Sequence, residues 1–237
     1  MKLIYIASLI LLISSCTNIP TEYKEPAELR VIEDTLYYKG EITGLMVLKA
    51  LEMARHSRQP INKLHIDSPG GNARAGIIFG NWIHENKIKV TIENLCFSSC
   101  ANYLFTSASS VHVLKGAIVG WHGGAFQQHW KLDLRWYEYL IPNRKASKLA
   151  LANAALKPWK DEETAFFQLI GVDQKITTYG QLDRFNCQKQ TGAAGWNYPI
   201  RDLHKLGITN VTSEDTELVL KNDKSEVTAC RVSLSDN

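Results

Sequence analysis

Three short segments carry residue types that could together perform acyl transfer: Ser68-Pro69-Gly70-Gly71, Cys96-Phe97-Ser98-Ser99-Cys100-Ala101 and Trp121-His122-Gly123-Gly124. A serine hydroxyl is a weak nucleophile near neutral pH and needs a neighbouring base, typically histidine, which contributes on the order of 10² to 10⁴ in rate. His122 can supply that base. The tetrahedral intermediate also needs backbone N–H groups aimed at its oxyanion, and losing one such donor costs about 10² to 10³ in rate. Gly70 and Gly71 leave the backbone open to close approach, and a serine at a helix start has free N–H groups beside it. Each segment also has a plainer reading. SPGG can be a tight turn, Ser98 a helix cap, and His122 a buried, hydrogen-bonded histidine. Cys96 and Cys100 can be thiol nucleophiles or two halves of a disulfide.

These segments fall at the ends of elements that the apolar pattern defines. A strand pair is expected over 29–32 and 35–38, and a first helix with Leu45, Leu48, Leu51 and Ala54 as its buried stripe. Lys63 to Asp67 reads as a strand running into SPGG. A second helix follows, with Ile77, Ile78, Trp82 and Ile83 on its apolar face. Lys89 to Ile92 is a β-branched strand leading into CFSSC, and a buried helix is expected from Ser98 or Ser99 to Thr106. Two more short strands, 111–114 and 117–120, end at Trp121-His122. Strands alternating with helices argue for an α/β layered domain, whose active sites gather in loops at strand ends. Beyond His122 come aromatic and charged residues and then a helical stretch, 144–170, broken at Pro158. The aromatics between Trp130 and Tyr139 read as packing, an oligomer surface or a substrate groove. Residues 217–220 and 226–234 read as a C-terminal β-hairpin.

The three loop segments, in this order and at these spacings, resemble the Clp-type and signal-peptide-peptidase-type serine peptidases of the ClpP/crotonase-like superfamily. The resemblance covers roughly residues 36–125, with a weaker echo over Trp196 to Ile208. It implies an α/β fold of layered ββα units, closed here by the C-terminal β-hairpin. Its register places Ser99 as nucleophile, His122 as general base, and the N–H groups of Cys100 and of Gly70 or Gly71 as the oxyanion hole. His122 lies 23 residues after Ser99, an interval typical of the Clp type. No lysine stands where the signal-peptide-peptidase type has its base. The Clp type carries an acid about fifty residues past its histidine, which points to Asp173, although the surrounding GVDQK does not reproduce the family's local pattern. A Ser/His dyad without that acid is the alternative, since the acid chiefly orients the histidine.

The rest of the chain sets the setting for this chemistry. With 237 residues, 45% hydrophobic and 22% charged, it is long enough for one domain with a substantial core. A formal net charge of +3, with no dense Lys/Arg stripe, argues against a nucleic-acid partner. Met1-Lys2, the apolar run Leu3 to Ile13 and Ser14-Ser15 form a signal-peptide pattern too short for a comfortable membrane span. Ile13-Ser14-Ser15-Cys16 resembles a bacterial lipobox, which implies a signal peptide over 1–15, lipidation at Cys16 and a periplasmic, membrane-anchored protein. Thr17 in place of Asp points by the same resemblance to the outer membrane. A plain secretory signal is the alternative. Residues 16–28 read as a tether, 29–212 as the ClpP/crotonase-like domain with a helical insert at about 126–170, and 213–237 as the hairpin.

Four cysteines remain, and an exported location permits disulfides in any of three pairings. The expectation is Cys96 with Cys100, close enough to meet if the chain turns between them, and Cys187 with Cys230. His65, His84, His112, His129 and His204 lack metal-ligand spacing with the cysteines, so neither a metal nor another cofactor is expected. The leading expectation is therefore an anchored serine hydrolase acting on a peptide or protein, with homo-oligomers possible by resemblance. A catalytically silent binding or assembly module on the same fold is the alternative. A crotonase-like acyl-CoA enzyme stands third, because coenzyme A is not expected outside the cytoplasm.

Overall fold

Strands β1 (Glu28–Ile32) and β2 (Thr35–Lys39) form an antiparallel pair across the Glu33-Asp34 turn, where Glu33 takes a positive φ of 54°. They belong to a computed structural model that describes residues 27–128, 137, 140–185 and 187–234. The expected signal peptide, Cys16 and most of the tether lie outside the described residues, as do Trp130 to Trp136 and His129.

From β2 onward the chain alternates. Helix α1 (Gly44–Arg55) begins at Thr43, whose side chain accepts the Met46 N–H, and β3 (Lys63–Ser68) follows in parallel with β2. Helix α2 (Ala73–Glu85) starts directly after SPGG, capped by Asn72 Oδ1 on the Ala75 N–H at 2.9 Å. The long strand β4 (Lys89–Phe97) lies parallel to β3 and reaches into CFSSC. On its other side its first half pairs with β5 (Ser110–Val113) and its last residues with β6 (Ile118–Gly120). Strand β8 (Val211–Ser213) completes a seven-stranded sheet, parallel apart from β1. The fold is thus mixed α/β with a parallel-rich sheet, as the alternation predicts. One face of β3 and β4 is buried, with Leu64, Ile66, Val90 and Ile92 at most 1% exposed, whereas Lys63, His65, Lys89 and Thr91 between them are exposed or half-buried.

Four sequence expectations need correcting. Leu45 and Leu48 are 63% and 65% exposed; α1 instead buries Val47 and Ala50, with Leu51 and Ala54 partly covered. On α2, Ile78 likewise faces outward while Phe79 and Ile83 are buried. Helix α3 (Arg144–Ile170) runs through Pro158 without ending there. The C-terminal segment is no two-stranded hairpin: β9 (Ala229–Arg231) pairs in parallel with β7 (Gly195–Asn197), and only an isolated Asn222–Ser225 bridge marks the turn. Val219 and Val227 pack on Leu95, Phe97 and Ile118, so this segment covers the far end of β4 and β6. Two short helices, α4 (Cys187–Thr191) and α5 (Ile200–Lys205), flank β7, and the Cys187–Cys230 disulfide ties α4 to β9.

Candidate active site

The ends of β3, β4 and β6 meet, and each of the three loop segments leaves one of them. At the end of β3, Gly70 and Gly71 take φ of 93° and 142°. A Cβ on Gly70 would lie 2.5 Å from the Phe97 carbonyl oxygen, 2.7 Å from Ser98 Cβ and 2.8 Å from Ser99 N, so only glycine lets this turn press against the two serines.

At the end of β4 the chain turns sharply. Ser98 adopts φ 57°, the left-handed region, between its N–H donating to Gly120 O at 3.0 Å and its C=O accepting from Asn102 N–H at 2.8 Å. The next residues enter the π-helix Cys100–Phe105, a wide-turn element found often at functional sites. A disulfide joins Cys96 to Cys100 across this turn, with Cα atoms 5.1 Å apart. The left-handed residue sends the two serine side chains in different directions. Ser98 Oγ lies 2.6 Å from His122 Nε2. Ser99 is only 4% exposed; its Oγ donates to Gly71 O at 2.8 Å, and its Cβ faces Gly76 of α2. Ser98, and not Ser99 as the family register suggests, is the serine that meets the histidine.

His122 follows β6. Its ring stacks on Phe97 with centroids 5.7 Å apart and planes 11° from parallel, while the other side of the residue stays open to solvent. Packing against protein desolvates the imidazole and lowers its pKa below the ordinary value, with a smaller opposing effect from its own backbone. The backbone beyond is held by side chains: Gln181 Nε2 donates to His122 O at 3.1 Å and Asn102 Nδ2 to Gly123 O at 2.8 Å.

Asp173 does not join this group. It is exposed and caps the turn Gln174–Thr177, accepting the Lys175 N–H at 2.9 Å. Among the described residues no carboxylate contacts the His122 ring. The N–H groups near these turns differ in whether they are engaged. Gly70 N–H donates to Ser68 Oγ at 3.1 Å, whereas the Gly71 and Ser99 N–H groups have no acceptor among the described residues. With Ser98 in contact with His122, the following N–H is that of Ser99, one residue before Cys100.

A further residue escaped the sequence reading. Glu163, from the charged run Asp161-Glu162-Glu163, is fully buried and accepts from Tyr103 OH, Gln174 Nε2 and Ala125 N–H. Its spacing from Phe166, Phe167 and Ile170, three, four and seven residues on, was the available signal that it faces inward. Among the described residues no group of three His, Cys, Asp or Glu side chains could hold a metal, and no helix is long and apolar enough to cross a membrane.

No family model and no curated protein matches this chain. Among solved structures, the crystal structure of an enoyl-CoA hydratase from Polaromonas sp. JS666 is similar at a TM-score of 0.31 and 12% sequence identity, over 40% of this chain and 50% of that one. The chain therefore spans half the length of that structure.

Proposed function

We propose that this protein is a serine hydrolase on a ClpP/crotonase-like scaffold, with Ser98 as nucleophile and His122 as general base. The observation that carries the reading is the 2.6 Å contact between Ser98 Oγ and His122 Nε2 on a left-handed turn; the Gly71 and Ser99 N–H groups, which have no acceptor among the described residues, are the candidate oxyanion donors. With the imidazole proton on Nδ1, the Ser98 hydroxyl donates to Nε2. As Oγ attacks an acyl carbon, that proton passes to Nε2, and the carbonyl oxygen gains negative charge facing the Gly71 and Ser99 N–H groups. Collapse expels the leaving group, which takes the proton from Nε2. Water then attacks the Ser98 ester by the same path in reverse and releases the acid. The lowered pKa of His122 favours this role, because it keeps the ring neutral and able to accept a proton.

A peptide or protein substrate follows from the resemblance to Clp-type peptidases. Export and anchoring through Cys16 belong to the same proposal, supported by the signal pattern and by two disulfides, which form and persist in oxidising compartments. A second reading is a binding or assembly module that keeps the scaffold without turnover; among the described residues no carboxylate contacts the His122 ring. An alkyl fluorophosphonate decides between them. The hydrolase reading predicts covalent labelling that Ser98→Ala or His122→Ala removes, whereas wild-type protein that stays unlabelled supports the binding module.

A further inference from the structure

The loop that carries His122 is tied from three sides, and the tie at its far end is a buried carboxylate with no part in the proposed reaction. Asn102 holds Gly123 O and Gln181 holds His122 O, while the Ala125 N–H is shared between the two Glu163 oxygens at 3.1 and 3.2 Å. The remaining lone pairs of Glu163 accept from Tyr103 OH at 2.8 Å and Gln174 Nε2 at 3.0 Å. Gly124 runs so close that a Cβ there would lie 2.8 Å from Glu163 Oε1. The carboxylate thus joins the π-helix, the His122 loop and the turn after α3 at one point.

A carboxyl group in a fully buried site is costly, and here burial raises its pKa. An apolar side chain of similar volume would fill the same space on α3 beside Phe166 and Phe167 without that cost. What an apolar side chain cannot do is hold the Ala125 N–H. Among the described residues the His122 ring is placed by the Phe97 stack, the Ser98 contact and the path of its own backbone. We infer that Glu163 is a positioning residue for His122: by holding the Ala125 N–H it fixes the path of residues 122–125 and thereby seats Nε2 on Ser98 Oγ. This inference rests on the reading of Ser98 and His122 as the reacting pair. Glu163 touches neither the serine nor the imidazole; it acts through the loop.

The test compares rates of fluorophosphonate labelling in full-length variants whose melting curves show that they are folded. Glu163→Met keeps the volume and removes the acceptor. Glu163→Gln retains one carbonyl oxygen that can still accept from Ala125. Tyr103→Phe breaks the same buried network from the opposite side and leaves the Ala125 contact in place. Small misplacements of a catalytic group cost up to about 10² in rate. The expected result is labelling slowed about tenfold or more in Glu163→Met, an intermediate rate in Glu163→Gln, and a rate within about twofold of wild type in Tyr103→Phe. Equal slowing in Glu163→Met and Tyr103→Phe, or wild-type labelling in Glu163→Met, overturns the inference. Should Glu163→Met fail to fold, Glu163→Gln is read against Tyr103→Phe by the same rule. Should wild-type protein not label at all, the hydrolase reading falls, and the inference is then read from the ¹⁵N resonances of His122. A hydrogen-bonded Nε2 that is lost in Glu163→Met and kept in Tyr103→Phe supports it; no difference between the two variants refutes it.

Discussion

Replacing both Cys96 and Cys100 by alanine removes a bridge that closes five residues around Ser98. Both cysteines are fully buried, so the change also removes two sulfur atoms from the packed interior, and the cost of losing the bridge alone is a lower bound. In the chain-entropy description, closing so short a loop contributes about 2 kcal/mol. A non-glycine residue held in the left-handed region costs on the order of 1 to 2 kcal/mol. The two magnitudes are comparable: the bridge is sized to offset the conformation that Ser98 needs to face His122. The double variant is therefore expected to lose at least about 2 kcal/mol, which lowers the melting temperature by at least about 4 to 8 °C in a domain of this size. Without the bridge the turn can relax to negative φ, swinging Oγ away from Nε2, so labelling at 25 °C should slow by at least about tenfold while the protein is still folded. Thermal melting and fluorophosphonate labelling on the same preparation check both parts. A double variant that melts and labels like wild type refutes the reasoning, and one that melts earlier but labels at full rate confines the bridge to general stability.

Ser99→Ala removes the partly buried hydrogen bond to Gly71 O, so it should cost about 0.5 to 1.5 kcal/mol in denaturant unfolding and still label. The lowered pKa of His122 should place the midpoint of the labelling rate below pH 6.5, and a midpoint at or above the free imidazole value contradicts the packing account. The same shift has a stability consequence. The unfolded chain takes up the His122 proton first, so this group reduces stability as pH falls below about 6.5 and contributes nothing above it. Cys187→Ala with Cys230→Ala opens a bridge of sequence separation 43 and should cost about 4 kcal/mol, with labelling unchanged in whatever fraction remains folded.

The alternation from β2 to β6 is readable because β-branched and apolar residues recur along the strands, buried on one face, and because SPGG, CFSSC and WHGG punctuate their ends. Which side of α1 faces inward was not. Leu45 and Leu48 form one apolar stripe and Val47 with Ala50 another, and composition alone favours the larger residues, whereas close packing of the helix on the sheet selects the smaller ones. A turn signal near Asn222 implies pairing between neighbours, whereas β9 pairs with β7, where Ala229 lies opposite Gly195. Pro158 lies at an exposed position of α3, where losing one backbone hydrogen bond is tolerated. The choice between Ser98 and Ser99 rests on one dihedral angle. A left-handed serine leaves no trace in residue type, so register against a family pattern is the only guide in the sequence, and it points to the serine next to the one that contacts His122. Asp173 rests on interval alone, and interval cannot distinguish a triad acid from the cap of a short turn.

The central claim is that Ser98 is the acylated residue. The most direct measurement is peptide mapping by mass spectrometry after reaction of wild-type protein and the Ser98→Ala and Ser99→Ala variants with a fluorophosphonate. The account predicts one adduct, on Ser98, present in wild type and Ser99→Ala and absent from Ser98→Ala. An adduct on Ser99, or labelling that survives Ser98→Ala, contradicts it.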